Sequence, residues 1–326
     1  MRDLLRAGCE LLADNRDMIH KNFVWNMDMM SITGAVIYTG EGKTADIQRI
    51  KECKTILKKH QGVFSEFRQN MEIPVLCKMA LSDDPEGYLL KLINTYNVLH
   101  QGKIFGSEYM ALTAISICDS KCEARVDEIV QKTRDLLKAM AKVHPFLTSE
   151  EDMAFAALLA MTNHSIDEII NETEYCFTYM KAKFAFHDNA VQSLSHVLTL
   201  CPGTPEEKCR RASAIYDALL TRHITYGKDY ELASLGALVN IDMAPEELAS
   251  EIADASEYLK NRKGFGDWSI GTRTRTMFAA LLAAQAYSPT SIAMDASVIG
   301  SALAIVIAEE VCMMAATMAV TASSNN

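Results

Sequence analysis

The chain has 326 residues, of which 49% are hydrophobic and 23% charged, and its formal net charge is −10. These proportions are typical of a folded globular protein and exclude bulk disorder, which requires low hydrophobicity together with high net charge. Non-specific nucleic-acid binding depends on Lys and Arg side chains that neutralise phosphates, so the acidic balance argues against DNA or RNA as a partner.

The N-terminal residues and the cysteines indicate a reducing compartment. Asp3, Glu10 and Asp14 carry acidic side chains where a signal peptide would be basic and then apolar. The nine cysteines are scattered without C-x-x-C pairs, which favours buried free thiols over a zinc site or a disulfide framework. We therefore expect a cytoplasmic protein that holds no metal.

Short apolar segments recur along the chain, and each ends at a polar break. The breaks follow one another about 40 residues apart, a period typical of helix-pair repeats of the HEAT and armadillo size class. The apolar segments are 29–38, 73–81, 111–117, 153–161, 191–200, 232–241 and 277–286.

A longer amphipathic segment follows each short one. Apolar residues recur at spacings of three and four over 126–140, 166–180 and 209–223, which is one face of an α-helix. The strings Asp-Pro-Glu at 84–86 and Thr-Pro-Glu-Glu at 204–207 are typical helix starts, so we interpret their carboxylates as capping groups rather than catalysts. The short segments are expected to begin at the N-cap residues Ser107, Ser149, Asp188 and Asp229.

These segments predict an all-α fold, an α-solenoid of about seven helix-pair repeats with essentially no sheet. No stretch sustains the period-two alternation of a half-buried strand. The helical repeat domain is expected to span residues 1–290. Residues 291–326 are expected to form an apolar C-terminal helix packed on the repeats, followed by a short disordered tail.

The apolar stretch 298–320 is the one segment that resembles a membrane span. Glu309 and Glu310 lie near its centre, where two carboxylates would be costly, and no Lys, Arg, Trp or Tyr adjoins it. We therefore predict a buried helix and no membrane span. Two questions stay open: the role of the two glutamates, and whether this helix joins copies of the chain into a homo-oligomer.

No arrangement of residues predicts a catalytic or cofactor site. The string Gly-Glu-Gly-Lys-Thr at 40–44 resembles the end of a phosphate-binding loop, but the first glycine of that motif would replace Ile37. The signatures H-E-x-x-H and G-x-S-x-G are missing from the chain, as is a catalytic-cysteine signature. We expect no cofactor and favour a non-enzymatic role, although a triad assembled from distant residues leaves no sequence signature.

Four strings in the chain resemble those of one protein family. They are Asn22-Phe23-Val24-Trp25, Val63-Phe64-Ser65 followed by Phe67-Arg68, Gly106-Ser107-Glu108-Tyr109, and Ile307-Ala308-Glu309-Glu310. Over nearly its full length the chain resembles an uncharacterised bacterial family, the domain of unknown function numbered four-thousand-and-three. The resemblance implies a bacterial, cytoplasmic, helical protein, and it implies no activity, cofactor or catalytic residue.

Aromatic and basic residues of the loops form the candidate interaction surface. Stacked helix pairs make long grooves, so we expect a protein- or peptide-binding scaffold whose concave face takes the partner. The alternatives are a small-molecule-binding protein or enzyme with a polar pocket formed by curled repeats, and a structural homo-oligomer. The candidate residues are Trp25, Phe64, Arg68, Tyr109, Trp268, Arg273 and Arg275.

Overall fold

The computed structural model describes residues 1–23, 28–60, 65–67, 69–101 and 106–288, and within these ranges the protein is all-α with no strand. The α-helices are α1 (Asp3–Asn22), α2 (Asp28–Gly40), α3 (Ile47–Lys59), α4 (Glu72–Leu81), α5 (Pro85–His100), α6 (Glu108–Asp119), α7 (Val126–Val143), α8 (Met153–Ala160), α9 (Ile166–Lys183), α10 (Asp188–Leu200), α11 (Pro205–Thr221), α12 (Pro245–Lys260) and α13 (Gly271–Tyr287). The 3-10 helices are Ser65–Phe67, Gln69–Met71, Glu123–Arg125, Glu150–Asp152 and Tyr230–Leu238.

The helices of the described ranges pack in seven pairs, and each pair has an outer and an inner member. The outer helices α1, α3, α5, α7, α9, α11 and α12 bury one face; in α7 this face includes Ile129, Val130 and Met140. The inner members are α2, α4, α6, α8, α10, the 3-10 helix Tyr230–Leu238 and α13. All residues of α8 are buried, because a helix that is apolar all round must be enclosed by other elements.

The series of pairs closes on itself, because α1 packs against α12 and α13. Across this junction the Tyr258 hydroxyl donates to Glu10 at 3.2 Å, and the Gln285 amide donates to the Thr39 carbonyl at 2.8 Å. The predicted all-α fold is confirmed, and the arrangement of the pairs as a solenoid stays a prediction.

Reciprocal side-chain caps begin two outer helices, α9 and α11. At α11 the Thr204 hydroxyl accepts the Glu207 N–H at 3.3 Å, and the Glu207 carboxylate accepts the Thr204 N–H at 3.2 Å. Ser165 and Glu168 form the same capping box at α9. The capping role predicted for the carboxylates at 204–207 is confirmed.

Basic side chains of outer helices bind the carbonyl groups at the ends of inner helices. The last carbonyls of a helix have no partner within it and carry a partial negative charge, so a cation stabilises them. The contacts are Arg49 Nε to Ala80 O (2.9 Å), Lys132 Nζ to Thr162 O (2.8 Å), Lys208 Nζ to Cys201 O (2.8 Å) and Arg211 Nη2 to Ile241 O (2.8 Å).

Residues 289–326 lie outside the described residues, and with them lie the predicted C-terminal helix, Glu309 and Glu310. The division between a repeat domain at 1–290 and a C-terminal helix at 291–326 therefore stays a prediction. Within the described ranges, none of the helices combines the length and apolarity that crossing a bilayer requires.

Candidate functional site

The fully described connections from outer to inner helices lie together at one end of the ring. Side chains from successive pairs meet there: the Tyr109 hydroxyl donates to Glu151 at 3.4 Å, and His187 Nδ1 lies 3.2 Å from Asp229 Oδ1. We call this end the rim and define it by the connections 144–152, 184–187, 222–229 and 261–270.

A partly open pocket of about 560 Å³ lies at the rim, where three successive pairs meet. Its volume is in the range of small-molecule sites. Four carboxylates line it, with Leu147 and Phe186 as apolar neighbours. The carboxylates belong to Glu151, Asp152, Asp188 and Asp229.

Two of these carboxylates have a lysine or arginine within ion-pair distance. Asp188 pairs with Lys181 at 2.8 Å. Asp229 lies 3.2 Å from the His187 ring and 3.7 Å from the Arg273 guanidinium. The pocket is therefore acidic, and its outer edge is only partly neutralised.

Three aromatic side chains of the rim are almost fully exposed: Phe146 (97%), Phe186 (99%) and Trp268 (104%). Phe186 also has a backbone φ of 70°, in the left-handed region that bulky residues avoid at a cost of about 1–2 kcal/mol. Exposed apolar groups next to polar pockets are typical of interaction sites. The rim therefore combines exposed aromatic rings with an acidic pocket.

Two titratable groups behind the rim have pKa values that are raised by burial. Tyr230 lines the pocket and its hydroxyl lies 3.3 Å from Thr274 Oγ1, while burial raises its pKa. Glu231 is 2% exposed, and burial raises the pKa of its carboxyl as well. The acidic character of the pocket therefore comes from its four lining carboxylates and not from Glu231.

Three of the predicted surface residues lie at or beside the rim. Tyr109 contacts Glu151, Trp268 is exposed, and Arg273 is paired with Asp229 at the edge of the pocket. Trp25, Phe64 and Arg68 lie outside the residues whose side chains are described.

Arg275 is not part of the exposed surface that was predicted to include it. It is 3% exposed, and its guanidinium donates to Asp267 Oδ1 at 2.7 Å and to the Phe265 carbonyl at 3.1 Å. Its neighbourhood in sequence contains no acid, but the preceding loop supplies one. Arg275 therefore holds the connection 261–270 against α13 instead of contributing to the candidate interaction surface.

Asp188 and Asp229 were not predicted as pocket residues, because in the sequence each has the position of a helix cap. Asp188 is the first residue of α10 and follows the N-cap, and Asp229 stands at an N-cap position without a capping hydrogen bond. By contrast, Ser107 and Ser149 do cap the helices that follow them. An acid at the start of successive inner helices, about 40 residues apart, is the signal that could have found the pocket.

Among the described side chains, no group of three or more His, Cys, Asp or Glu residues could hold a metal ion. A family model with the description "Protein of unknown function (DUF4003)" matches residues 15–311. No curated protein and no solved structure matches the chain.

Proposed function

The chain belongs to the family of proteins of unknown function DUF4003, and we propose that it is a binding protein whose rim takes a basic, apolar-flanked segment of another protein or peptide. The observation that carries this proposal is the position of Phe186, which is almost fully exposed and lines the acidic pocket, while the equally exposed Phe146 directly precedes the pocket residue Leu147. A partner would cover these rings and supply positive charge to the pocket.

Charge complementarity supports a basic partner. Four carboxylates line the pocket, and the whole chain carries a net charge of −10. Complementary charge accelerates encounter and excludes partners of the same sign, while buried aromatic anchors supply most of the affinity. The closed ring moves the proposed binding surface from a concave groove to the rim.

Two capped peptides test this proposal by calorimetry. One alternates arginine and leucine, and the other replaces each arginine with citrulline, which has nearly the same shape without the charge. The arginine peptide should bind the wild type. Phe186→Ser should lower the affinity for this peptide at least about tenfold, because removal of an aromatic hot-spot side chain typically costs more than about 1 kcal/mol of binding free energy.

Tyr175→Ser is the matched control, because Tyr175 is a half-exposed aromatic of α9 that does not line the pocket. It should leave the affinity unchanged. Equal binding of the two peptides, or an arginine peptide that binds Phe186→Ser as tightly as wild type, would sink the proposal.

A small polyamine is the second candidate ligand, favoured by the pocket volume of about 560 Å³. A linear triamine that binds in calorimetry while the arginine peptide does not would establish this alternative. In that case the loss of a carboxylate would weaken binding more than Phe186→Ser would, because a small amine binds mainly through charged hydrogen bonds.

The proposal also places the protein in the cytoplasm, which its free cysteines at the described positions support.

Association through residues 291–326 is a separate proposal that rests on their apolar sequence. Light scattering should then give more than one chain per particle, and deletion of residues after Pro289 should reduce the mass to one chain. A monomer before the deletion would end that idea.

A further inference from the structure

Asp152 is the one buried carboxylate among the four that line the pocket. Asp188 and Asp229 lie within 2.8 Å of Lys181 and 3.7 Å of Arg273, respectively. Asp152 has no Lys or Arg within ion-pair distance among the described residues, although it is only 6% exposed. A carboxylate that is removed from water without a counter-charge is costly to a folded protein.

Neutral donors hold the Asp152 carboxylate in one orientation. Its Oδ2 accepts the Ser149 backbone N–H at 2.9 Å, and its Oδ1 accepts the Gln192 side-chain amide at 3.0 Å. Gln192 is itself 3% exposed, so the amide is fixed inside the fold. These bonds orient the carboxylate but leave its charge without a partner.

His196 is the only titratable group of the described residues within ion-pair distance of Asp152, with Nδ1 at 3.6 Å from Oδ1. It is 1% exposed, and burial lowers the pKa of its ring, with His144 acting in the same direction and Asp152 opposing it. His196 is therefore neutral at neutral pH and supplies no positive charge.

The buried groups around Asp152 have more acceptors than donors. Gln192 Oε1 and both ring nitrogens of His196 are buried without a hydrogen-bond partner. A neutral imidazole offers one acceptor nitrogen and one donor, and the Gln192 carbonyl is an acceptor only. Gln192 and His196 do not line the pocket, so a cation that enters it meets the Asp152 carboxylate, which an ammonium or guanidinium binds through charged N–H donors.

We infer that Asp152 anchors the cationic head group of the pocket's ligand, an alkylammonium or a guanidinium, and that Gln192 is the positioning residue that orients the carboxylate toward it. This inference rests on the proposed function, because it names the contact that selects a basic partner. Gln192 acts only through Asp152, and the other three carboxylates add long-range attraction.

Asp152→Asn tests the anchor, with Glu206→Gln as the matched control that removes one exposed acid outside the pocket. The Asn side chain keeps an oxygen for the Ser149 N–H, so the 3-10 helix Glu150–Asp152 should form. Loss of one partner of a buried charge pair weakens binding by at least about 30-fold. The arginine peptide should lose that much affinity, the citrulline peptide should not change, and Glu206→Gln should bind both as wild type does.

Gln192→Leu is the second variant, and it decides the question if Asp152→Asn fails to fold by circular dichroism. It should weaken the arginine peptide about tenfold and reduce its preference over the citrulline peptide, because a hydrogen bond to a charged group is lost. A merely structural role would lower the urea midpoint and leave the ratio of the two affinities unchanged.

The outcomes separate this inference from the proposed function. A wild type that does not distinguish the arginine from the citrulline peptide overturns both. The other case is a wild type that prefers the arginine peptide and loses affinity on Phe186→Ser. If folded Asp152→Asn or Gln192→Leu then keeps the full preference for the arginine peptide, only the role of Asp152 as the anchor is overturned.

Discussion

Gly236 allows the 3-10 helix Tyr230–Leu238 to pack directly against α10. A β-carbon added at Gly236 would lie 2.3 Å from Val197 Cγ1 and 2.9 Å from Val197 Cβ. Val197 is fully buried and β-branched, so it cannot turn aside without a shift of α10 itself. Gly236→Ala should therefore lower the free energy of unfolding by about 1–3 kcal/mol through overpacking, against a gain of at most about 1 kcal/mol from a stiffer unfolded chain.

A double-mutant cycle isolates this contact. Val197→Ala alone should cost about 2 kcal/mol, because two buried methyl groups are lost and a cavity remains. In the double variant the new methyl group at 236 occupies part of that cavity, so the two losses should fall short of additivity by at least about 1 kcal/mol. Urea unfolding followed by circular dichroism measures each free energy.

Gly40→Ala is the control for the glycine itself, because no heavy atom lies within 4 Å of a β-carbon added there. It should leave the free energy of unfolding unchanged or slightly increased. A Gly236→Ala variant as stable as wild type, or a cycle that is additive within about 0.5 kcal/mol, would show that the contact is not tight.

Two further predictions concern a helix end and a buried acid. Arg211→Met should lower the free energy of unfolding by about 2 kcal/mol, because the half-buried guanidinium donates to the carbonyls of Ile241 (2.8 Å) and Met243; an unchanged urea midpoint would contradict this. Glu231 has a raised pKa in the folded state, so the folded chain keeps its proton to higher pH than the unfolded chain, and stability should fall as pH rises above about 4.5. Glu231→Gln should remove this loss, so its urea midpoint should exceed that of wild type by a margin that grows with pH; a constant margin would refute the burial argument.

The helices themselves could be predicted from the sequence because each is specified locally. The apolar spacing over 126–140 follows from the requirement that α7 bury one face, and the inner helix α8 is an uninterrupted apolar run. The caps at Ser165 and Thr204 depend only on residues within one turn. One exception is the inner member at 230–238, which is a 3-10 helix and contains the closely packed Gly236.

Closure of the ring could not be predicted, because it depends on a small rotation between neighbouring pairs that accumulates over seven of them. The junction between α1 and the last pair joins residues far apart in sequence, such as Glu10 and Tyr258. Neither residue belongs to a local pattern. An open array and a closed ring have the same helices and the same period, so the repeat alone cannot distinguish them.

The pocket also could not be predicted from any one segment of the sequence, but the repeat period offers a way to find it. Glu151, Asp188 and Asp229 belong to three different pairs, and each looks like an ordinary helix-start acid when examined alone. Their shared phase in the repeat places them at the same end of neighbouring pairs, so a period of about 40 residues converts separate acids into one acidic surface. The sequence period could not distinguish Asp152 from the other acids. Asp152 is buried, and its titratable neighbour His196 is neutral, and both facts depend on the packing of the folded chain. In a repeat fold, a candidate site is therefore better sought among residues of equal phase than among residues close in sequence.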